Sequence, residues 1–166
     1  MTDFRRVLEA LANHDVAHIV VGGAAIGLHG SSYRTQDIAI VYEHDRDNVA
    51  KLVAALKPFK PRLRVAGEPE GVPFVFDVQT VLNGGSFTMT TAIGDIDILS
   101  TIAGIGDYAE AMKYADWIPA ISQDRPTPVL SLDGLIIAKR AANRPKDLLV
   151  LPELEAMREL RALEDT

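Results

Sequence analysis

The chain has 166 residues, a length that suits one domain with a core of its own. It contains no cysteine, which excludes a disulfide scaffold, a thiol nucleophile, a Cys-ligated zinc site and an iron–sulfur cluster. Lys and Arg total 17 against 23 Asp and Glu, a formal charge of −6, so bulk charge does not build a non-specific nucleic-acid binder.

No apolar run approaches the roughly 18 residues of a membrane span. The N-terminus lacks an apolar signal core, so the expectation is a soluble, cytoplasmic protein. Phe4, Val7, Leu8 and Leu11 have helical spacing and predict an amphipathic helix over 3–14. Ala17 to Val21 is rich in β-branched residues and reads as a buried strand ending at Gly22-Gly23. A short helix over 24–29 and a turn at Gly30-Ser31-Ser32 follow. Residues 37–42 predict a second strand, and Asp45 caps a helix reaching Leu56. Prolines and glycines interrupt any long element from Pro58 to Pro73.

Strand-like pieces come next at 74–76, 86–91 and 95–99, with Asn83-Gly84-Gly85 as a turn. A helix is expected over 108–115, short strands over 117–121 and 128–130, and a helix over 131–142. Pro145 suits the first turn of a last helix reaching about Leu160. The alternation predicts an α+β fold: a mixed sheet flanked by helices, with helices at the C-terminus. It is expected to be one domain over 1–166, with a core over about 1–130 and a helical segment over about 131–166.

Three segments carry chemistry. The first is Gly22-Gly23, thirteen intervening residues, then Asp37-Ile38-Ala39. Glycines after a strand let the backbone approach a phosphate, the next helix start favours an anion, and a neighbouring carboxylate suits Mg²⁺. The second is Gly94-Asp95-Ile96-Asp97-Ile98, where alternation puts both acids on one strand face. Such a pair stays in water or binds a cation. The third runs from Leu135 to Asp147, with Lys139 placed to reach a triphosphate and Arg144, Lys146 and Asp147 at a helix junction. Alone, these are ordinary as a strand-to-helix turn, a half-exposed edge strand and a basic turn with a capping acid. Asp77 reads as a surface acid. The four histidines have no metal-ligand spacing, and His29 reads as structural. Tyr33 and Tyr42 flank the segments and are the candidates for nucleoside contact.

In this order the segments resemble the AbiEii/AbiGii-type nucleotidyltransferases of the polymerase-β-like nucleotidyltransferase superfamily. The resemblance runs through Gly22-Gly23, His29-Gly30-Ser31-Ser32, Arg34-Thr35-Gln36-Asp37, the Gly-Asp-Ile-Asp strand, and the closing Lys139-Arg140-Ala141-Ala142-Asn143-Arg144-Pro145-Lys146-Asp147. It implies a Mg²⁺-dependent enzyme that moves a nucleoside monophosphate from an NTP to a hydroxyl. Such proteins are often toxins of toxin–antitoxin systems that act on tRNA, with a cognate antitoxin as partner. Asp37 and Asp97 match metal ligands, Asp97 also the base, Lys139 the triphosphate lysine and Asp147 the last acid. Gly22, Gly23 and Ser31 match the phosphate-side turn, and Arg34 a basic position before the acids.

The second motif acid falls on Ala39, whose methyl group ligates nothing, so the chain is expected to be inactive or impaired. Three readings of Ala39 stay open. One is an introduced Asp→Ala exchange that disarms a harmful enzyme, favoured because the rest of the motif is intact. Another is a degenerate enzyme kept to bind nucleotide or partner. The third is a site rebuilt by Asp95, Asp97 and Asp147. Lys57, Lys60, Arg62 and Arg64 form one basic cluster and Lys139, Arg140, Arg144 and Lys146 a second, both placed to meet an RNA backbone. A small-molecule or protein acceptor on the same fold is the alternative.

Overall fold

The computed structural model describes residues 1–165. Helix α1 (Phe4–Asn13) starts at Asp3, whose carboxylate accepts the Arg6 amide hydrogen, and buries Val7, Leu8 and Leu11. Strand β1 (His18–Val21) is buried along its whole length and runs straight into the short helix α2 (Gly22–Leu28). Strand β2 (Asp37–Tyr42) follows, then α3 (Arg46–Leu56), capped by Asp45.

Residues 58–76 depart from the expectation of broken structure with a strand at 74–76. They hold β3 (Arg62–Val65) and β4 (Glu68–Val72), an antiparallel hairpin turning at Gly67, where φ is +84°. Pro69 is tolerated because β4 lies at the sheet edge, where a missing amide hydrogen costs no ladder bond. Residues 74–76 belong to no strand. Phe74 instead stacks on Phe87, with ring centroids 5.8 Å apart. Asp77 is a cap rather than a free surface acid: its carboxylate accepts the Thr80 amide hydrogen and starts α4 (Val78–Gly84), which sequence reading had not predicted. That helix buries only Val81, so it has almost no apolar periodicity to read.

Strands β5 (Phe87–Thr91) and β6 (Gly94–Leu99) come next. Then follow a two-stranded ribbon, β7 (Thr101–Ile102) with β8 (Gly106–Asp107), and helix α5 (Tyr108–Met112). Strands β9 (Ala115–Ser122) and β10 (Arg125–Leu130) lead to α6 (Leu132–Ala142) and α7 (Pro145–Glu164). Eight strands form one sheet in the order β4-β3-β5-β6-β2-β1-β10-β9. Two neighbouring pairs, β1 with β10 and β2 with β6, are parallel and the others antiparallel. This is the predicted α+β arrangement, a mixed sheet with flanking helices and two helices at the C-terminal side.

The core explains the order. Ile19, Val20, Ile38, Ile40, Ile96 and Ile98 are fully buried on the central strands. Burial of each such side chain is worth about 1.5–3 kcal/mol. Among the described residues no helix is long and apolar enough to cross a membrane.

Candidate active site

The parallel pairing of β2 and β6 sets Asp37 beside Asp95 and Ala39 beside Asp97. Alternation turns all four to one face of the sheet. Thr2 pins this register at the strand starts. Its hydroxyl donates to the Gln36 carbonyl and accepts the Asp95 amide hydrogen. Thr35 holds Asp37 through a 2.7 Å hydrogen bond to Oδ1.

Three carboxylates this close need a counter-charge, and the chain supplies one from β3. The Arg64 guanidinium lies 2.8 Å from Asp97 Oδ1 and 3.8 Å from both Asp37 Oδ2 and Asp95 Oδ2. It also donates to the Met89 carbonyl at 3.1 Å. Burial tends to raise Asp37, but hydrogen bonds with Asp97 and Thr35 and the charge of Arg64 outweigh it and hold the carboxyl below its usual range. Asp97 goes the other way. Burial, helped by the shared hydrogen bond with Asp37, pushes it up to about 7 against the pull of Arg64.

The glycine pair lies beside this cluster for two different reasons. Gly22 has φ +64°, a conformation that favours glycine. Gly23 is needed for space: a Cβ there would sit 2.9 Å from Thr35 Cβ and from Tyr33 Cε1. The pair therefore lets residues 33–35 lie against α2 and deliver Thr35 to Asp37.

The facing wall comes from α6, α7 and the turn between them. Asp147 is fully buried and binds Lys139 Nζ at 3.1 Å and Arg144 Nε at 2.7 Å. Hydrogen bonds from Arg144, helped by Lys139, hold its carboxyl well below the usual range despite burial. Asp147 is thus an anchor for two cations and starts α7 by accepting the Arg144 amide hydrogen. It does not join the acids of β2 and β6, which removes it from any rebuilt set of metal ligands.

A cleft of about 450 Å³ joins these parts. Its lining includes Gly22, Gly23, Tyr33, Asp37, Ala39 and Asp97, and across from them Lys139, Arg144, Lys146 and Asp147. Ser31 is not among the lining residues; its hydroxyl donates to Glu153 of α7 at 2.7 Å. Arg34 lines an adjoining apolar groove with Phe4 and Leu28. Tyr42 is on the opposite face, fully buried, with its hydroxyl donating to the Gly85 carbonyl. It cannot meet a nucleoside, because position 42 alternates with 39. His29 is structural, held between the Leu130 carbonyl at 2.8 Å and Arg161 at 3.0 Å.

The first basic cluster is not a single outward patch: Arg62 donates to the Glu70 carbonyl at 2.8 Å and Arg64 is committed to the acids. Sequence reading missed Arg64 as a site residue. Its only trace was the alternation Arg62-Leu63-Arg64-Val65, which shows a basic strand face but not which strand lies beside it.

No family model matches the chain, and no curated protein does. Solved structures match its fold. One is the lincosamide antibiotic adenylyltransferase LnuA with lincomycin bound, at 14% identity and TM-score 0.61, covering 95% of this chain and 98% of that one. Another is ANT(2'')-Ia with adenylyl-2''-tobramycin, at 18% identity and TM-score 0.52, covering 96% and 93%. A Thermotoga maritima protein, provisionally described as a nucleotidyltransferase, aligns at 16% identity and TM-score 0.52 over 99% and 96%. The chain therefore has the nucleotidyltransferase fold. At such identities the likeness concerns architecture.

Three consequences can be measured. Gly23→Ala forces Thr35 and Tyr33 aside and is expected to lower the melting temperature; a native melt contradicts the packing role. Asp147→Asn leaves Lys139 and Arg144 without their shared anion. Arg144 reaches solvent while Lys139 is mostly buried, so the expected cost is about 3 kcal/mol, the low end for a broken buried pair, read by denaturant titration at pH 7. The third concerns Asp97. Its folded pKa lies above the roughly 3.9 of an unfolded aspartate. Its stabilisation is complete below that value and is lost as pH rises through about 7. In EDTA, the unmodified chain should lose melting temperature relative to Asp97→Asn between pH 5 and pH 8, and parallel curves would contradict the shift.

Proposed function

We propose that this chain is a nucleotidyltransferase: it binds an NTP in the cleft and moves the nucleoside monophosphate to a hydroxyl acceptor. The observation that carries the reading is the convergence in one cleft of Asp37 and Asp97 with Lys139, Arg144 and Lys146 across from them. Cations on one wall suit the phosphates, and carboxylates on the other suit a metal and a proton.

The donor set fits one Mg²⁺. Asp37 and Asp97 offer hard oxygen donors on adjacent strands, and Mg²⁺ is commonly held by one or two carboxylates with phosphate oxygens and water. Position 39 offers no third carboxylate, so a two-ion cluster does not fit. The ion, when bound, supplies positive charge at the reacting phosphate. Lys139 and Arg144, fixed by Asp147, hold the triphosphate chain. Asp97 accepts the proton of the attacking hydroxyl. The hydroxyl oxygen bonds the α-phosphorus, the bond to the bridging oxygen breaks, and pyrophosphate leaves. Tyr33 lines the cleft and is the remaining aromatic candidate for the nucleoside.

The acceptor rests on other grounds. The sequence resemblance favours tRNA, with the chain as a cytoplasmic toxin restrained by an antitoxin. Support comes from Arg144 and Lys146, both exposed where the cleft meets the start of α7. A small-molecule hydroxyl is the second reading. It draws on the nearly full-length match to the two antibiotic-modifying proteins and on the inward commitment of Arg62 and Arg64.

Each α-labelled NTP would be incubated with Mg²⁺ and either total RNA or a panel of hydroxyl-bearing small molecules. The unmodified chain is compared with Ala39→Asp. Slow transfer that rises about a hundredfold or more in Ala39→Asp is the expected outcome. The labelled species then identifies the acceptor class. Absence of transfer from both proteins, with NTP binding intact, overturns the enzyme reading in favour of a nucleotide-binding protein without turnover.

A further inference from the structure

We infer that Arg64 is the resident cation of the carboxylate cluster, so that this chain takes no more than one divalent ion there, and takes that one against a positive charge already in place. The inference rests on the proposed use of the cleft for a metal-bound nucleotide. Three observations on separate strands carry it.

Arg64 contacts all three acids, not one. Its guanidinium is at 2.8 Å from Asp97 and 3.8 Å from Asp37 and Asp95. A surface arginine has no need to gather three carboxylates, whereas a fixed cation among them does what a metal would do.

The arginine is also held in place. The Met89 carbonyl on β5 accepts a hydrogen bond from it at 3.1 Å. The register Leu63–Met89 and Met89–Ile96 fixes β3 and β6 on either side of β5, so the side chain must cross that strand to arrive where it does.

Ala39 completes the arrangement. It pairs with Asp97, which in turn pairs with Thr88 on β5. Arg64 follows the Leu63–Met89 pair by one residue and so reaches the cluster along this same row. The row has a cation at one end and, at the other, a methyl group instead of a ligand. A second divalent ion there would lack a donor and would meet a guanidinium already bonded to Asp97.

Mn²⁺ alone is the probe, titrated at pH 8.5 into the nucleotide-free chain and followed by calorimetry and electron paramagnetic resonance. The unmodified chain should bind at most one Mn²⁺. Arg64→Met, checked for folding by its melting curve, should bind Mn²⁺ at least about tenfold more tightly because the repelling charge is gone. Two ions on the unmodified chain, or no gain in Arg64→Met, overturns the inference.

If that variant does not fold, the Arg64 Nε–H resonance of the unmodified chain decides. At Mn²⁺ concentrations where calorimetry shows one ion bound, it should be broadened beyond detection, and a bound ion that leaves the resonance unaffected overturns the inference. Binding of a fluorescent NTP analogue is measured on the same samples. Failure there overturns the nucleotidyltransferase reading while the ion count stands.

Discussion

Repulsion between carboxylates forced side by side is the constraint on which the cleft depends. The parallel pairing of β2 and β6 gives no choice: two alternating acidic strands in this register must place their acids together. Burial makes the repulsion more costly, and the chain answers it twice. Asp97 and Asp37 share a hydrogen bond, which divides their protonation unequally. Arg64 spans the group from a strand two places away. Removing either answer leaves the core strands nothing to adjust, because Ile38, Ile40, Ile96 and Ile98 lock them from the other face.

The opposite wall solves the mirror problem. There two cations converge, and a single fully buried acid holds them. Asp147 resembles a catalytic acid by its place in the sequence, yet its contacts make it a positioning residue. The cleft therefore has two charge clusters, each stabilised by one residue of the opposite sign. Both are neutralised only in part, which leaves one side receptive to a cation and the other to an anion.

The sequence was most informative where one rule decided the outcome. Buried β-branched runs gave β1, β2 and β6, apolar spacing gave α1, and the cap at Asp45 gave the start of α3. It was least informative where pairing decided. The β3–β4 hairpin has a proline and glycines that normally argue against strands, and only its edge position excuses them. Helix α4 buries one residue and so has no stripe. At the site, Asp37, Asp97, Lys139 and Gly23 were singled out by the resemblance, and they line one cleft. Tyr42 was misplaced because closeness along the chain was read as closeness in space, although alternation assigns it to the other face. Arg64 was read as part of an outward basic cluster because no local pattern tells that β5 is inserted between β3 and β6.

Helix α7 has a mechanical consequence beyond closing the fold. Its first turn contains Asp147, which sets the cationic wall. Further along, Glu153 accepts the Ser31 hydroxyl, and Arg161 bonds His29. Those two residues begin the segment that presents Tyr33 and Thr35 to the acidic wall. One rod thus has a fixed point on each jaw of the cleft. The gap between the jaws is set along that one helix, with Pro152 lying between its two fixed points, and not by the segment joining α2 to β2 alone.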